Sequence, residues 1–495
     1  MKKTLWLVLL VAVCAQAEVK LPALLSDGAV LQRDLPLHFW GTAEPGEQVT
    51  VTFAANSQSA KTDSLGHWNV YLPPAKAGGP FEISIQGSNR IVLHDVMVGD
   101  VWLASGQSNM EFPLRRVKDG EKEVAAADSP NIRLFRVDHV HSEFPLSDVT
   151  AKPWTPCTPE SVREFSAVAY YFAREIAQKE KVTIGVVESS WGGTLAESWT
   201  SMDALSGDPA LMPLFAARAR MMDRQADVPM QLKQEQAERD AAKGKGLPEP
   251  KFPWHPQHEM WQPAGLFNGM IAPLTPFPIR GVIWYQGESN SMIERAPYLY
   301  GHQFETLIRD WRAHWGEGDF PFLFVQISSY TSTPAEDWPA IREGQRQTLA
   351  LRNTGMAVSI DIGDPDDVHP LDKIDVGHRL ALIARATVYG ENVVYSGPTV
   401  REITRDGRGL RVWLDHAAGL MAKGTALTGF EIAGTDGKFQ AAEAKIDGET
   451  LIVSSSAVEH PVSVRYGWAN SPQCNLFNKE GLPASPFTAS LPPLH

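Results

Sequence analysis

Cysteine is scarce in this chain of 495 residues: Cys14, Cys157 and Cys474 are all there is. Cys14 lies in an apolar N-terminal run, so two thiols remain, too few for a disulfide-stapled scaffold or a cysteine zinc cluster. Cys157 and Cys474 can pair in an oxidising compartment or stay free. Basic residues are also in deficit, 45 Lys plus Arg against 58 Asp plus Glu, a net charge of −13. Without a basic stripe, nucleic acid is a poor partner. After the N-terminus no run approaches the roughly 18 apolar residues of a membrane helix, so the mature chain is expected to lack an integral membrane segment. Neither a phosphate-cradling G-x-x-x-x-G-K-[ST] nor a dinucleotide fingerprint occurs. His255-x-x-His258-Glu259 offers metal ligands by type, but Pro256 and its Pro-rich setting disfavour a helical zinc site. Neither metal nor cofactor is expected. Internal repeats and low-complexity tracts are missing too.

What is present begins with an address. Lys2 and Lys3 precede an apolar stretch from Leu5 to Ala15, and Ala15-Gln16-Ala17 fits a small-x-small cleavage site. Residues 1–17 read as a signal peptide, and the mature protein is expected in the periplasm or outside the cell. The fifteen tryptophans either fill cores or stack on sugar rings; for any single one, core filling is the stronger reading.

At this length two or three domains are expected. Residues 18–98 show alternating strands (Val49, Val51, Phe53; Phe81, Ile83, Ile85) broken by Glu44-Pro45-Gly46-Glu47 and Gly87-Ser88-Asn89, a β-sandwich-like pattern. Residues 99–393 alternate strands such as Val182–Val187, Gly281–Tyr285, Phe322–Ile327 and Met356–Ile362 with amphipathic helices. This predicts an α/β fold with a mostly parallel sheet covered on both faces. A charged, then Pro-rich stretch over about 205–262 reads as a surface insertion. Residues 394–495 return to strand alternation, a second β-rich region.

Three loops follow predicted parallel strands, where open α/β sheets bind ligands. The first holds Gly106-Gln107-Ser108-Asn109-Met110, a serine on a tight turn. It is not the G-x-S-x-G elbow, because Met110 replaces the second glycine; alone, such a serine is more often a turn or cap residue. The second holds Asp366-Asp367-Val368-His369-Pro370. An Asp and a His three apart can pair through Nδ1 and leave Nε2 for a serine, whereas Asp364 and Asp367 read as a solvated acidic turn. The third set, Gly192-Gly193 and Gln286-Gly287-Glu288-Ser289-Asn290, supplies donor types suited to an oxyanion. His139-x-His141 sits on an alternating segment and reads as surface or core filler.

Val101–Glu111 (VWLASGQSNME), Gly281–Asn290 (GVIWYQGESN) and Asp366-x-x-His369-Pro370 together resemble the sialate O-acetylesterase family, among the SGNH (GDSL-like) hydrolases. The resemblance extends from Ser26–Arg33 to Asn475–Asn478 and Leu482–Phe487. It implies an SGNH-like fold, no metal or cofactor, and an O-acetylated sugar or glycan as substrate. Residue by residue it implies Ser108 as nucleophile, His369 as base and Asp366 as its orienter. The oxyanion donors it implies are Ser108, Gly192 or Gly193, and Gln286 or Asn290. Asn109, Glu288, Arg342 and Gln345 are further pocket candidates. Alternatives are an esterase of acetylated xylan or other polysaccharide, and a non-catalytic carbohydrate-binding protein on the same fold.

Overall fold

The computed structural model describes residues 18–225, 228–250, 252, 255 and 258–492; the leader expected over 1–17 lies outside the described residues. Six strands form the parallel body of the central sheet: β1 (Arg90–Gly106), β2 (Ser129–Arg136), β3 (Ile184–Ser190), β4 (Gly281–Tyr285), β5 (Phe322–Gln326) and β6 (Thr354–Val358). They lie in the order β6-β5-β4-β1-β3-β2, with Thr155–Cys157 antiparallel at the β2 edge. The chain leaves β1 toward the β2 side and leaves β4 toward the β5 side. The crevice between the ends of β1 and β4 is therefore the topological switch point, where such sheets place their sites.

Covering both faces follows from strand alternation. Trp284 of β4 and Phe322 and Phe324 of β5 point to one face and meet α3 (Tyr300–Trp315) through Phe304 and Trp311. Leu323 and Gly355 point to the other, against Ile383 of α5 (Lys373–Thr387). Helix α2 (Ala167–Glu180) packs beside α5, and α4 (Trp338–Gln347) beside α3. Trp68, Trp102, Trp199, Trp284, Trp311 and Trp338 are fully buried, so for these six core filling is the role observed. Each large side chain so enclosed contributes roughly 1.5–3 kcal/mol of burial free energy.

β1 carries the chain through residue 98, where a boundary was expected. Its first half pairs antiparallel with Gly78–Gln86, and its second half is the centre of the parallel sheet. Most core residues from Val19 to Ala384 form one hydrophobic cluster, with two small satellites around Trp261 and Leu211, and those from Ile403 to Phe487 form another. The latter belongs to two four-stranded antiparallel sheets in the C-terminal region. Helices Met212–Gln225 and Val228–Gly244 occupy the expected insertion. Cys157 and Cys474 are free thiols, Cys157 buried. Among the described residues, no helix is long and apolar enough to cross a membrane.

Candidate active site

The serine loop is built by close backbone approach. Gly106 ends β1 at φ +132°, and a Cβ there would fall 2.2 Å from the Tyr285 carbonyl of β4. Only glycine tolerates both conditions. The chain turns at once into a short helix, α1 (Ser108–Glu111), with Gln107 at its N-cap. Ser108 is thus the first helical residue, and its N–H is one of the donors a helix start leaves unpaired.

His369 arrives from the loop after β6, and its Nε2 lies 2.8 Å from Ser108 Oγ. Burial is the largest influence lowering the His369 pKa below its usual 6.5, with the Lys373 and Arg116 charges adding to it and Asp367 opposing. A neutral imidazole can accept the serine proton. The carboxylate beside Nδ1 is that of Asp367, at 3.5 Å; the same oxygen accepts from the His369 N–H at 2.8 Å. Asp366 was the expected orienter; the ion-pair contact to Nδ1 in this structure comes from Asp367 instead. Asp366 is exposed and its N–H bonds to Asp364, and among the described residues its carboxylate makes no ion pair with His369. The Asp367 turn bends the chain so that residue 367, two before the histidine, faces the ring.

Asn109 is fully buried behind the nucleophile. Its Nδ2 donates to Glu288 Oε1 (2.5 Å) and to the Val368 carbonyl (3.0 Å), and its Oδ1 accepts from Lys373 Nζ (2.5 Å). Asp372 caps α5, which sets Lys373 on its first turn with no exposed surface. Burial lowers the Lys373 pKa to about 7 and raises that of Glu288. Asn109 therefore ties the serine turn to both neighbouring loops from below, and does not line the cleft.

Gly192 and Gly193 lie against the same turn. A Cβ on Gly192 would sit 3.1 Å from Ser108 Cβ. The Gly192 N–H, however, donates to Glu111 Oε2 at 2.7 Å and so is committed. Glu111 also meets His139 Nε2 at 3.1 Å, and His139 stacks on Trp191 with ring centroids 4.5 Å apart. Burial pushes the Glu111 carboxyl up, but His139, the Gly192 amide and Arg136 outweigh it and hold its pKa below the usual value. His139 is therefore a support of the glycine turn. Trp261, returning from the insertion, donates through Nε1 to the Gly193 carbonyl (2.7 Å). The Gly193 N–H has no acceptor among the described residues, and Gly193 lines the cleft.

Other expected residues have different work. Gln286 is fully buried; its Nε2 donates to the Thr194 carbonyl and to Asn290 Oδ1, and its Oε1 accepts from Tyr300. Asn290 in turn donates to Glu197. Neither amide is aimed at the serine, because each satisfies buried groups that would otherwise be unpaired. Arg342 donates to the Ile327, Ser328, Ala469 and Asn470 carbonyls, pinning the C-terminal region against α4. Gln345 accepts from the Ile327 N–H and donates to the Gln286 and Val325 carbonyls. Both are inside the fold, not in the cleft.

The cleft over Ser108 and His369 has a volume of about 520 Å³. Gln107, Glu288, Met292, Arg295, Tyr330, Glu336 and Trp338 line it as well. That volume suits a small ligand. Arg295, Lys373, Trp261 and Asp367 were missed in the sequence. Trp261 sits in the irregular insertion, Arg295 in an unpatterned loop and Lys373 in a helix start, so local periodicity carried no signal for them.

A sequence profile described as "Carbohydrate esterase, sialic acid-specific acetylesterase" matches residues 255–384. The chain is 33% identical to the sialate O-acetylesterase of Mus musculus, over 91% of this chain and 90% of that one. With that of Homo sapiens it shares 31% identity over 91% and 88%. Among solved structures it is similar to a carbohydrate acetylesterase from Xanthomonas citri, with a TM-score of 0.83, 40% identity, and coverage of 96% of this chain and 100% of that one.

Proposed function

Because the chain belongs to the sialate O-acetylesterase family, as the sequence motifs led us to expect, we propose that it hydrolyses O-acetyl esters of sialic acids through a Ser108 acyl-enzyme. It is a carboxylic-ester hydrolase on an SGNH-like α/β fold. The observation carrying the mechanism is the 2.8 Å contact between His369 Nε2 and Ser108 Oγ at the floor of the cleft.

In the first step Ser108 Oγ attacks the acetyl carbonyl while His369 Nε2 takes its proton. The carbonyl becomes an oxyanion beside the Ser108 and Gly193 N–H groups, neither of which has an acceptor among the described residues. Asp367 stabilises the imidazolium from the Nδ1 side. His369 then protonates the departing sugar oxygen, which leaves as an alcohol. Water, deprotonated by His369, attacks the acetyl-serine, and collapse releases acetate and restores the serine. Each bond made to Ser108 is broken in the second step, so no redox partner is needed. Export of the protein by the N-terminal leader remains part of this reading.

Acetate release from 9-O-acetylated sialic acid, measured beside acetylated xylan with Ser108→Ala as control, tests it. Activity on xylan alone would remove the sialate assignment. Wild-type activity that survives in Ser108→Ala would remove the mechanism.

A further inference from the structure

Among the described residues, the lining of the cleft includes a cation, Arg295, without a protein counter-ion. Arg295 ends a short 3-10 turn (Ile293–Arg295). Its Nη1 donates to the Ser289 carbonyl, and its guanidinium lies over the Trp261 ring, 4.4 Å from the centroid. Its Nε is buried without a partner. Among the described residues no carboxylate lies within ion-pair distance of it, although Glu197, Glu294 and Glu336 act on it from further away. Of the acids near the cleft, Glu336 is engaged by Trp338 Nε1 (2.7 Å) and by the Ser291 hydroxyl (3.2 Å). Glu197 is engaged by Asn290 and Gln303. Glu288 is engaged by Asn109.

A guanidinium this enclosed is costly unless an anion offsets it. A purely structural arginine would be expected to spend its fork on protein acceptors, as Arg342 does with four carbonyls. Arg295 instead keeps most of its fork unspent among the described residues, in the same cleft as Ser108 and His369. Planar, bidentate recognition of a carboxylate is what such a fork does best. We propose that Arg295, held by Ser289 and the face of Trp261, is the subsite that binds the carboxylate of an acidic O-acetylated sugar. This inference rests on the esterase reading of the cleft and goes beyond it by naming what selects the sugar.

The test compares three acetyl esters: 9-O-acetyl-N-acetylneuraminic acid, its carboxyl methyl ester, and 4-nitrophenyl acetate. The wild type should favour the free acid over the methyl ester by about 100-fold in kcat/KM, the size of a lost enclosed charge pair. Arg295→Gln should abolish that preference by lowering kcat/KM on the free acid far more than on the two uncharged esters, as for a contact made to the carboxylate. Arg295→Lys, which retains charge but not the fork, should fall between. Equal wild-type rates on the free acid and its methyl ester would overturn the proposal, and that comparison needs no variant to fold. An equal fall on all three esters in a folded Arg295→Gln would also overturn it, leaving Arg295 a clamp on the Ser289 turn. If the wild type is inert toward every ester, the esterase reading itself fails, a result distinct from lost discrimination.

Discussion

Replacing Asn109 by Ala removes the joint on which the serine turn depends, and its cost can be worked from the contacts. Three hydrogen bonds go: to Glu288 Oε1, to the Val368 carbonyl, and from Lys373 Nζ. Two of these involve ionisable, enclosed groups, and bonds of that kind are worth about 1.5–3 kcal/mol each, against about 1 kcal/mol for a neutral one. The terms do not add, because Glu288 and Lys373 can relax toward each other or exchange a proton. About 3–5 kcal/mol of lost stability is the expected range for breaking such a network. The catalytic loss has a separate origin. Val368 precedes His369, so the Asn109 tether restrains the ring that meets Ser108; a misplacement of about 1 Å costs on the order of 100-fold. Asn109→Ala should therefore lower kcat on 4-nitrophenyl acetate by about 100-fold with KM changed little, since geometry of the reaction and not ground-state binding is lost. Chemical denaturation should report the stability change. A double-mutant cycle with Lys373→Met should return coupling above about 1 kcal/mol, as for directly bonded partners. A folded Asn109→Ala with kcat within 3-fold of wild type, or additive energies in the cycle, would refute the reasoning.

Glu111→Gln weakens the charged acceptor for the Gly192 N–H and frees His139; kcat should drop about 10-fold with KM nearly constant, as expected when a donor-bearing turn loosens. Because burial depresses the His369 pKa, kcat/KM should hold its plateau to below pH 6.5 before falling as the imidazole gains a proton. Asp367 raises that pKa, so Asp367→Asn should move the acidic limb further down while reducing the plateau. Asp366→Asn should leave the limb in place; the reverse ranking in a pH–rate profile would reassign the orienter. Gln286→Ala should act mainly on stability, by about 1–3 kcal/mol for unpaired buried groups; denaturation curves unchanged beside a large kcat loss would restore it as an oxyanion donor.

Much of the site was legible because strand ends and turn chemistry leave local traces. The glycine of Gly106 and the serine after it announce a sharp exit from a strand, and three such exits could be paired with a parallel sheet before any contact was known. The same locality explains the errors. Gln286, Arg342 and Gln345 sit in sequence beside the right loops, but a polar side chain near a strand end can turn inward as readily as outward, and only distant carbonyls decide which. Asp366 and Asp367 differ by one position, and the turn around His369 determines which faces the ring. Trp261 and Arg295 join the site from segments with no periodicity, so nothing local marks them.

The short helix α1 shows why these misses cluster around one element. Its successive side chains diverge by about 100°, so three residues of one turn address three different loops. Ser108 meets His369, Asn109 reaches Glu288 and Val368, and Glu111 holds Gly192. A longer helix would bury one face against one neighbour. This single turn, standing at the switch point between β1 and β4, is instead bonded in each direction. Its residues are chosen for partners far apart in the chain, and the nucleophile is held by neighbours that do no chemistry. Substitutions at Asn109 and Glu111 should therefore change kcat through different loops and combine nearly additively, within about 0.5 kcal/mol, as sites without a shared partner do. Strong coupling between the two would mean that α1 moves as one rigid piece, and the separate tethers argued from these contacts would not exist.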